Sequence, residues 1–108
     1  MILVKYESNY ADEFDVEGYA VYKNKEAFER EFINYINDED NDELSTDSLQ
    51  DVLDSDIEPC VSVGSNECID YDSVQDFYDS FTIRDISQKE ADVFSKLFDG
   101  NVVGMFPF

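Results

Sequence analysis

Ile2-Leu3-Val4-Lys5-Tyr6 and Phe14-Asp15-Val16-Glu17-Gly18-Tyr19-Ala20-Val21-Tyr22 decide the fold. Both stretches are dense in β-branched and aromatic side chains, which suit a pleated, half-buried surface, so each predicts a strand. The connection over residues 7–13 is polar and predicts a hairpin. Gly18 inside the second run marks either a bulge or a close approach of another backbone.

Beyond the hairpin the apolar spacing becomes helical. Asn24 caps a helix over 25 to about 37 that buries Phe28, Phe32, Ile33, Tyr35 and Ile36 and leaves Glu26 and Arg30 outside. Asp38-Glu39-Asp40-Asn41-Asp42-Glu43 then reads as a solvated loop. Ser45 as N-cap, with Leu44 stapled onto Leu49, predicts a short helix burying Leu49, Val52 and Leu53. A short strand follows over residues 60–63. Asp72, with Gln75 in the capping-box position, opens a third helix whose stripe is Val74, Phe77, Tyr78 and Phe81. Residues 81–86 predict a strand, and Ser87-Gln88-Lys89-Glu90 is a capping box for a helix with Ala91, Phe94, Leu97 and Phe98 facing inward and Gly100 closing it. The apolar tail 102–108 predicts a last strand, with an exposed dimerisation patch as the rival reading. The class is α+β: one domain over all 108 residues, a mostly antiparallel sheet of about four or five strands packed with three or four helices, without repeat or linker.

Charge points toward function. The chain holds 27 acidic residues against 7 basic ones and no His, a formal net charge of −20. Disorder is excluded by composition, because Ile, Leu, Val and Phe make up 31 of 108 residues, more than the roughly one-fifth of disordered chains. Solubility asks for a net charge of only about 2–8 in a small domain, so the excess predicts a partner. No base occurs between Arg30 and Arg84, while sixteen acids do. Asp47, Asp51 and Asp54 have i, i+4, i+7 spacing, as do Asp72, Asp76 and Asp79, so each set predicts an outward helical stripe. With Asp38, Glu39, Asp40, Asp42, Glu43 and Asp70 these form the candidate binding surface. Tyr71, between Asp70 and Asp72, is the candidate aromatic anchor.

Catalysis lacks its usual parts. There is no His, the glycines at 18, 64, 100 and 104 form no phosphate loop, and Cys60 and Cys68 have no evident base. Asp38, Asp40 and Asp42 imitate the start of a calcium loop, but Glu43 stands where the turn glycine belongs and Leu49 where the last carboxylate belongs. An eight-residue separation of the cysteines matches no common zinc spacing, so both read as reduced thiols of a cytoplasmic protein, with a lone disulfide as the rival reading, and no metal or cofactor is expected. The run after Met1 is too short for a signal peptide or a membrane span. Direct nucleic-acid binding is excluded by the missing basic footprint.

In size, acidity, scarcity of cysteine and its Asp stripes, the chain resembles the small acidic nucleic-acid-mimic inhibitors of phages and mobile elements, of the anti-CRISPR or anti-restriction type. The resemblance is one of class and covers the chain as composition; Ala11-Asp12-Glu13-Phe14-Asp15-Val16-Glu17-Gly18-Tyr19 is similar to an opening found in small phage and bacterial proteins. It implies a non-enzymatic inhibitor, monomeric or homodimeric, that binds a basic nucleic-acid-binding protein in the host cytoplasm. The alternatives are an immunity protein or antitoxin against a basic nuclease toxin, or a very soluble adaptor domain.

Overall fold

The computed structural model describes residues 1–10, 14–40, 48–62 and 68–108. Strands β1 (Ile2–Tyr10) and β2 (Phe14–Tyr22) pair antiparallel along their whole length, from Ile2 opposite Tyr22 to Tyr10 opposite Phe14. The first strand outruns the apolar run that predicts it, because Ser8 and Asn9 are carried by their pairing with Val16 and Asp15. Helix α1 (Lys25–Asp40) begins where expected, with Asn24 Oδ1 accepting a hydrogen bond from the Ala27 amide at 2.9 Å. Its end is a correction. Asp38, Glu39 and Asp40 are helical rather than looped: no Pro or Gly interrupts the ladder, and an acid in the last turn opposes the helix dipole by only about 0.3–1 kcal/mol.

Two five-residue helices follow, α2 (Leu49–Leu53) and, after strands β3 (Cys60–Ser62) and β4 (Cys68–Asp70), α3 (Val74–Tyr78). Then come β5 (Phe81–Asp85), α4 (Gln88–Leu97) and β6 (Val102–Gly104). The main sheet runs β5-β1-β2-β6 with antiparallel neighbours, and β3 and β4 form a separate antiparallel pair. The α+β class thus stands. Strand β4, which the sequence reading did not anticipate, adds the sixth strand among the described residues.

Alternation along β1 divides the sheet. Ile2, Val4 and Tyr6 point to an inner face, where they join Val16, Phe28, Phe32, Ile33, Ile36, Val52, Val61, Ile69, Val74 and Phe77 in one buried core. Phe77 sits amid aromatic rings, with centroids 5.3 Å from both Phe32 and Phe81 and 6.2 Å from Tyr6. After β6 the chain returns to this core: Phe108 lies 5.6 Å from Phe81 and 5.1 Å from Tyr35. The tail is therefore a three-residue strand followed by two aromatic plugs, Phe106 and Phe108.

Gly18 marks a close approach of backbone. A Cβ there would lie 2.6 Å from the carbonyl carbon of Met105 and from the amide nitrogen of Phe106, and one on Gly104, at φ 74°, would lie 2.6 Å from the Glu17 carbonyl oxygen. Both residues must lack a side chain for β6 to seat on β2.

The cysteines are a further correction. Cys60 and Cys68 form a disulfide across the β3–β4 pair, with Cα atoms 5.8 Å apart. The antiparallel pairing of β3 with β4 brings the two sulfurs together, which their spacing along the chain does not show by itself.

Candidate partner-binding surface

The two short helices are built alike, residue for residue. Asp47-Ser48-Leu49-Gln50-Asp51-Val52-Leu53-Asp54-Ser55 and Asp72-Ser73-Val74-Gln75-Asp76-Phe77-Tyr78-Asp79-Ser80 are identical at six of nine positions and apolar in both at the other three. This corrects the expectation of no internal repeat; comparing the chain with itself at an offset of 25 would have found it. Ser48 and Ser73 are the N-caps, their hydroxyls accepting from the amides of Asp51 (3.4 Å) and Asp76 (3.1 Å). Gln50 donates its side-chain amide to Asp54 at 3.0 Å and Gln75 donates to Asp79 at 2.9 Å. Asp54 and Asp79 are the C-caps. Val52 and Phe77, at matching positions, are the fully buried anchors.

The caps move the expected stripes. Asp72 precedes the N-cap Ser73 instead of being the cap, because the serine hydroxyl is the group that meets the Asp76 amide. Ser48 caps the earlier helix in place of Ser45; Ser45 and Leu44, the latter expected to staple onto Leu49, lie outside the described residues, as do Asp42, Glu43 and Asp47. Each predicted row of three is thus a helical Asp with a C-cap Asp, Asp51 with Asp54 and Asp76 with Asp79. These four are exposed. Helix α2 packs against both α1 and α3, so the two pairs stand on adjoining helices of one layer. Asp38 at the end of α1, Asp70 on β4 and Asp72 are exposed as well. Glu39 and Asp40 continue α1. Among the described residues the ion pairs are Lys5 with Glu7 and Glu17 and Lys25 with Glu29, all away from the base-free middle of the chain.

Tyr71 is not an exposed anchor. It is half-buried, its ring 5.1 Å from that of Phe77. Its hydroxyl donates to Ser8 Oγ at 2.9 Å, accepts from Ser80 Oγ at 3.3 Å, and lies 2.6 Å from the Tyr6 hydroxyl. Burial first, and the Tyr71 contact second, push the Tyr6 phenol far above its ordinary value. Tyr71 thus pins β4 to β1.

The outer face of the sheet differs. Leu3, Lys5, Glu17, Tyr19 and Val21 point there, and α4 lies over it with Ala91 buried. Its capping box is formed as expected: Ser87 Oγ accepts from the Glu90 amide at 3.1 Å, Glu90 accepts from the Ser87 amide at 3.0 Å, and those bonds hold the Glu90 carboxyl below its usual range. Phe94 is half-buried beside Leu3, but the end of the helix departs from the expected inward stripe. Leu97 is 72% and Phe98 49% exposed, joined at the surface by Val93, Val102 and Met105. A cleft of about 420 Å3 separates α4 from Leu3 and Ile86, with Arg84 and Lys89 in its lining. Helix α4 covers only part of this face, and among the described residues no second helix flanks it.

No family of proteins, no curated protein and no solved structure matches this chain. No helix among the described residues is long and apolar enough to cross a membrane.

Proposed function

We propose that the protein is an inhibitor that occupies the basic nucleic-acid-binding surface of a host defence protein, a CRISPR effector or a restriction enzyme, and excludes DNA or RNA by offering carboxylates where phosphates would lie. The observation that carries this reading is the repeated pair of exposed aspartates, Asp51 with Asp54 and Asp76 with Asp79, on adjoining helices of a segment without a base. Local chemistry alone explains only part of the pattern: Asp51 and Asp76 sit favourably in first helical turns, whereas Asp54 and Asp79 sit at C-termini, where the dipole disfavours an acid. Scale agrees. The molecule extends 40 × 34 × 19 Å, and twenty charges correspond to roughly 34 Å of duplex at one charge per about 1.7 Å.

A competition assay tests the mechanism, with the target captured from host lysate and labelled nucleic acid titrated against the inhibitor. Mutually exclusive binding supports groove occupancy, and a stable ternary complex overturns it. Replacing Asp51, Asp54, Asp76 and Asp79 together by Asn keeps side-chain size and should lower the association rate by about tenfold or more, while Glu26→Gln with Asp92→Asn should change it little. The wild-type rate should fall as salt is added.

A further inference from the structure

We propose that the β3–β4 hairpin is a redox-gated metal site, in which Cys60, Cys68 and Asp70 bind a divalent ion of Zn2+ type when the disulfide is reduced and release it when the disulfide forms. Strand geometry places the ligands. Cys60 pairs with Asp70 and Ser62 with Cys68, so Cys60, Cys68 and Asp70 project from one face of the two-stranded ribbon. Val61 and Ile69, between them, project from the other face and are buried in the main core. The hairpin is therefore held by its apolar side as well as by the disulfide, and the ligand side can change chemistry without releasing the strands.

The two sulfurs and a carboxylate oxygen of Asp70 lie within 4.8 Å of one another. Cys68 Sγ is 3.9 Å from Asp70 Oδ1; because that sulfur carries no hydrogen in the disulfide, the contact is a juxtaposition and not a hydrogen bond. Two thiolates 2.3 Å from a tetrahedral ion stand about 3.8 Å apart, so the opened pair needs only a small separation to reach ligand spacing. Two soft sulfurs and one carboxylate suit Zn2+ and leave a fourth position for water. The acidic surroundings attract a divalent cation, and the two thiolates supply the selectivity that scattered carboxylates lack.

The chemistry balances. A small thiol reductant such as glutathione supplies two electrons and two protons, the Cys60–Cys68 bond breaks, and the reductant leaves as its own disulfide. Binding of M2+ then displaces the two thiol protons. In reverse, a disulfide oxidant takes two electrons from the thiolates, the S–S bond reforms and the ion departs. A reducing cytoplasm would favour the metal-bound form and an oxidising compartment the disulfide.

Cobalt(II) tests this without knowledge of the partner. The whole protein is fully reduced under anaerobic conditions, or left oxidised, and titrated with Co2+ while near-ultraviolet absorption is followed. One equivalent should produce a thiolate-to-cobalt charge-transfer band in the reduced protein alone, and Zn2+ should bleach it. Asp70→Asn should weaken binding by roughly tenfold or more, at least what loss of an outer-shell partner costs, and Cys60→Ser should remove the saturable band. Absence of the band from reduced wild type, or equal Co2+ affinity in both redox forms, overturns the proposal; the wild-type comparison decides even where a variant fails to fold.

Discussion

One face of the four-stranded sheet lies beneath α1, α2, α3 and the two terminal phenylalanines, with Tyr6, Phe28, Phe32 and Phe77 removed from water; the other, among the described residues, lies beneath α4 alone, with Leu97 and Phe98 exposed. Charge divides along nearly the same line. Residues 81–108, which include α4, carry three bases and four acids, whereas residues 25–80, which include α1, α2 and α3, carry two bases and eighteen acids. Repulsion is thus heaped on the side with the dense core. The comparison teaches that the acidic surface is tolerated above a core whose largest rings are fully buried: an aromatic pair adds about 0.5–1.5 kcal/mol beyond its area, against a few tenths lost per like-charge neighbour on a helix.

The sharpest way to break the comparison is to truncate one anchor on each face. Phe77→Ala should cost about 3–5 kcal/mol in urea unfolding, because a fully buried ring leaves a cavity. Leu97→Ala should cost less than about 0.5 kcal/mol, as its side chain already meets water. Similar losses would mean that the outer face is closed in solution.

Gly18→Ala comes next. Its methyl would strike backbone of residues 105 and 106, and moving β6 away should cost about 1–3 kcal/mol in the same assay. A neutral result would show that β6 contributes little to the sheet.

The repeated helices offer an internal control. Ser48→Ala and Ser73→Ala each remove one N-cap hydrogen bond and should each cost about 1 kcal/mol. A clearly larger loss for Ser73 would show that the rigid aromatic anchor Phe77 makes its helix depend more on the cap than Val52 makes its own.

Alkali should act on the inner face more gently. Burial raises the phenols of Tyr6 and of Tyr22, the latter also bonded to Glu31, above their ordinary value of 10.0. The unfolded chain therefore loses those protons first, so stability is full below pH 10 and declines as pH rises through it. Thermal melts from pH 8 to 11 check this, and Tyr22→Phe should flatten the decline. The smallest change is expected from added salt, which should raise the melting temperature modestly by screening the inner layer's carboxylates.

Much of this was legible beforehand. The runs at Ile2 and Phe14, the Asn24 cap and the Ser87–Glu90 box carry their instructions within a few neighbouring residues, and all are realised as strands, cap and box. The base-free span from Arg30 to Arg84 is likewise a property of the chain itself. Tertiary structure alone decided matters that depend on distant partners. Tyr71 lies among acids in sequence, yet its hydroxyl is taken by Tyr6, Ser8 and Ser80 across the fold. Phe98 and Leu97 have helical spacing fit for a core, but spacing cannot tell whether a second layer arrives to cover them. Cys60 and Cys68 are eight apart in any reading, and only the register of β3 on β4 brings them, with Asp70, to one face. Local propensity acts over a turn or a strand; burial and register are settled by residues tens of positions away.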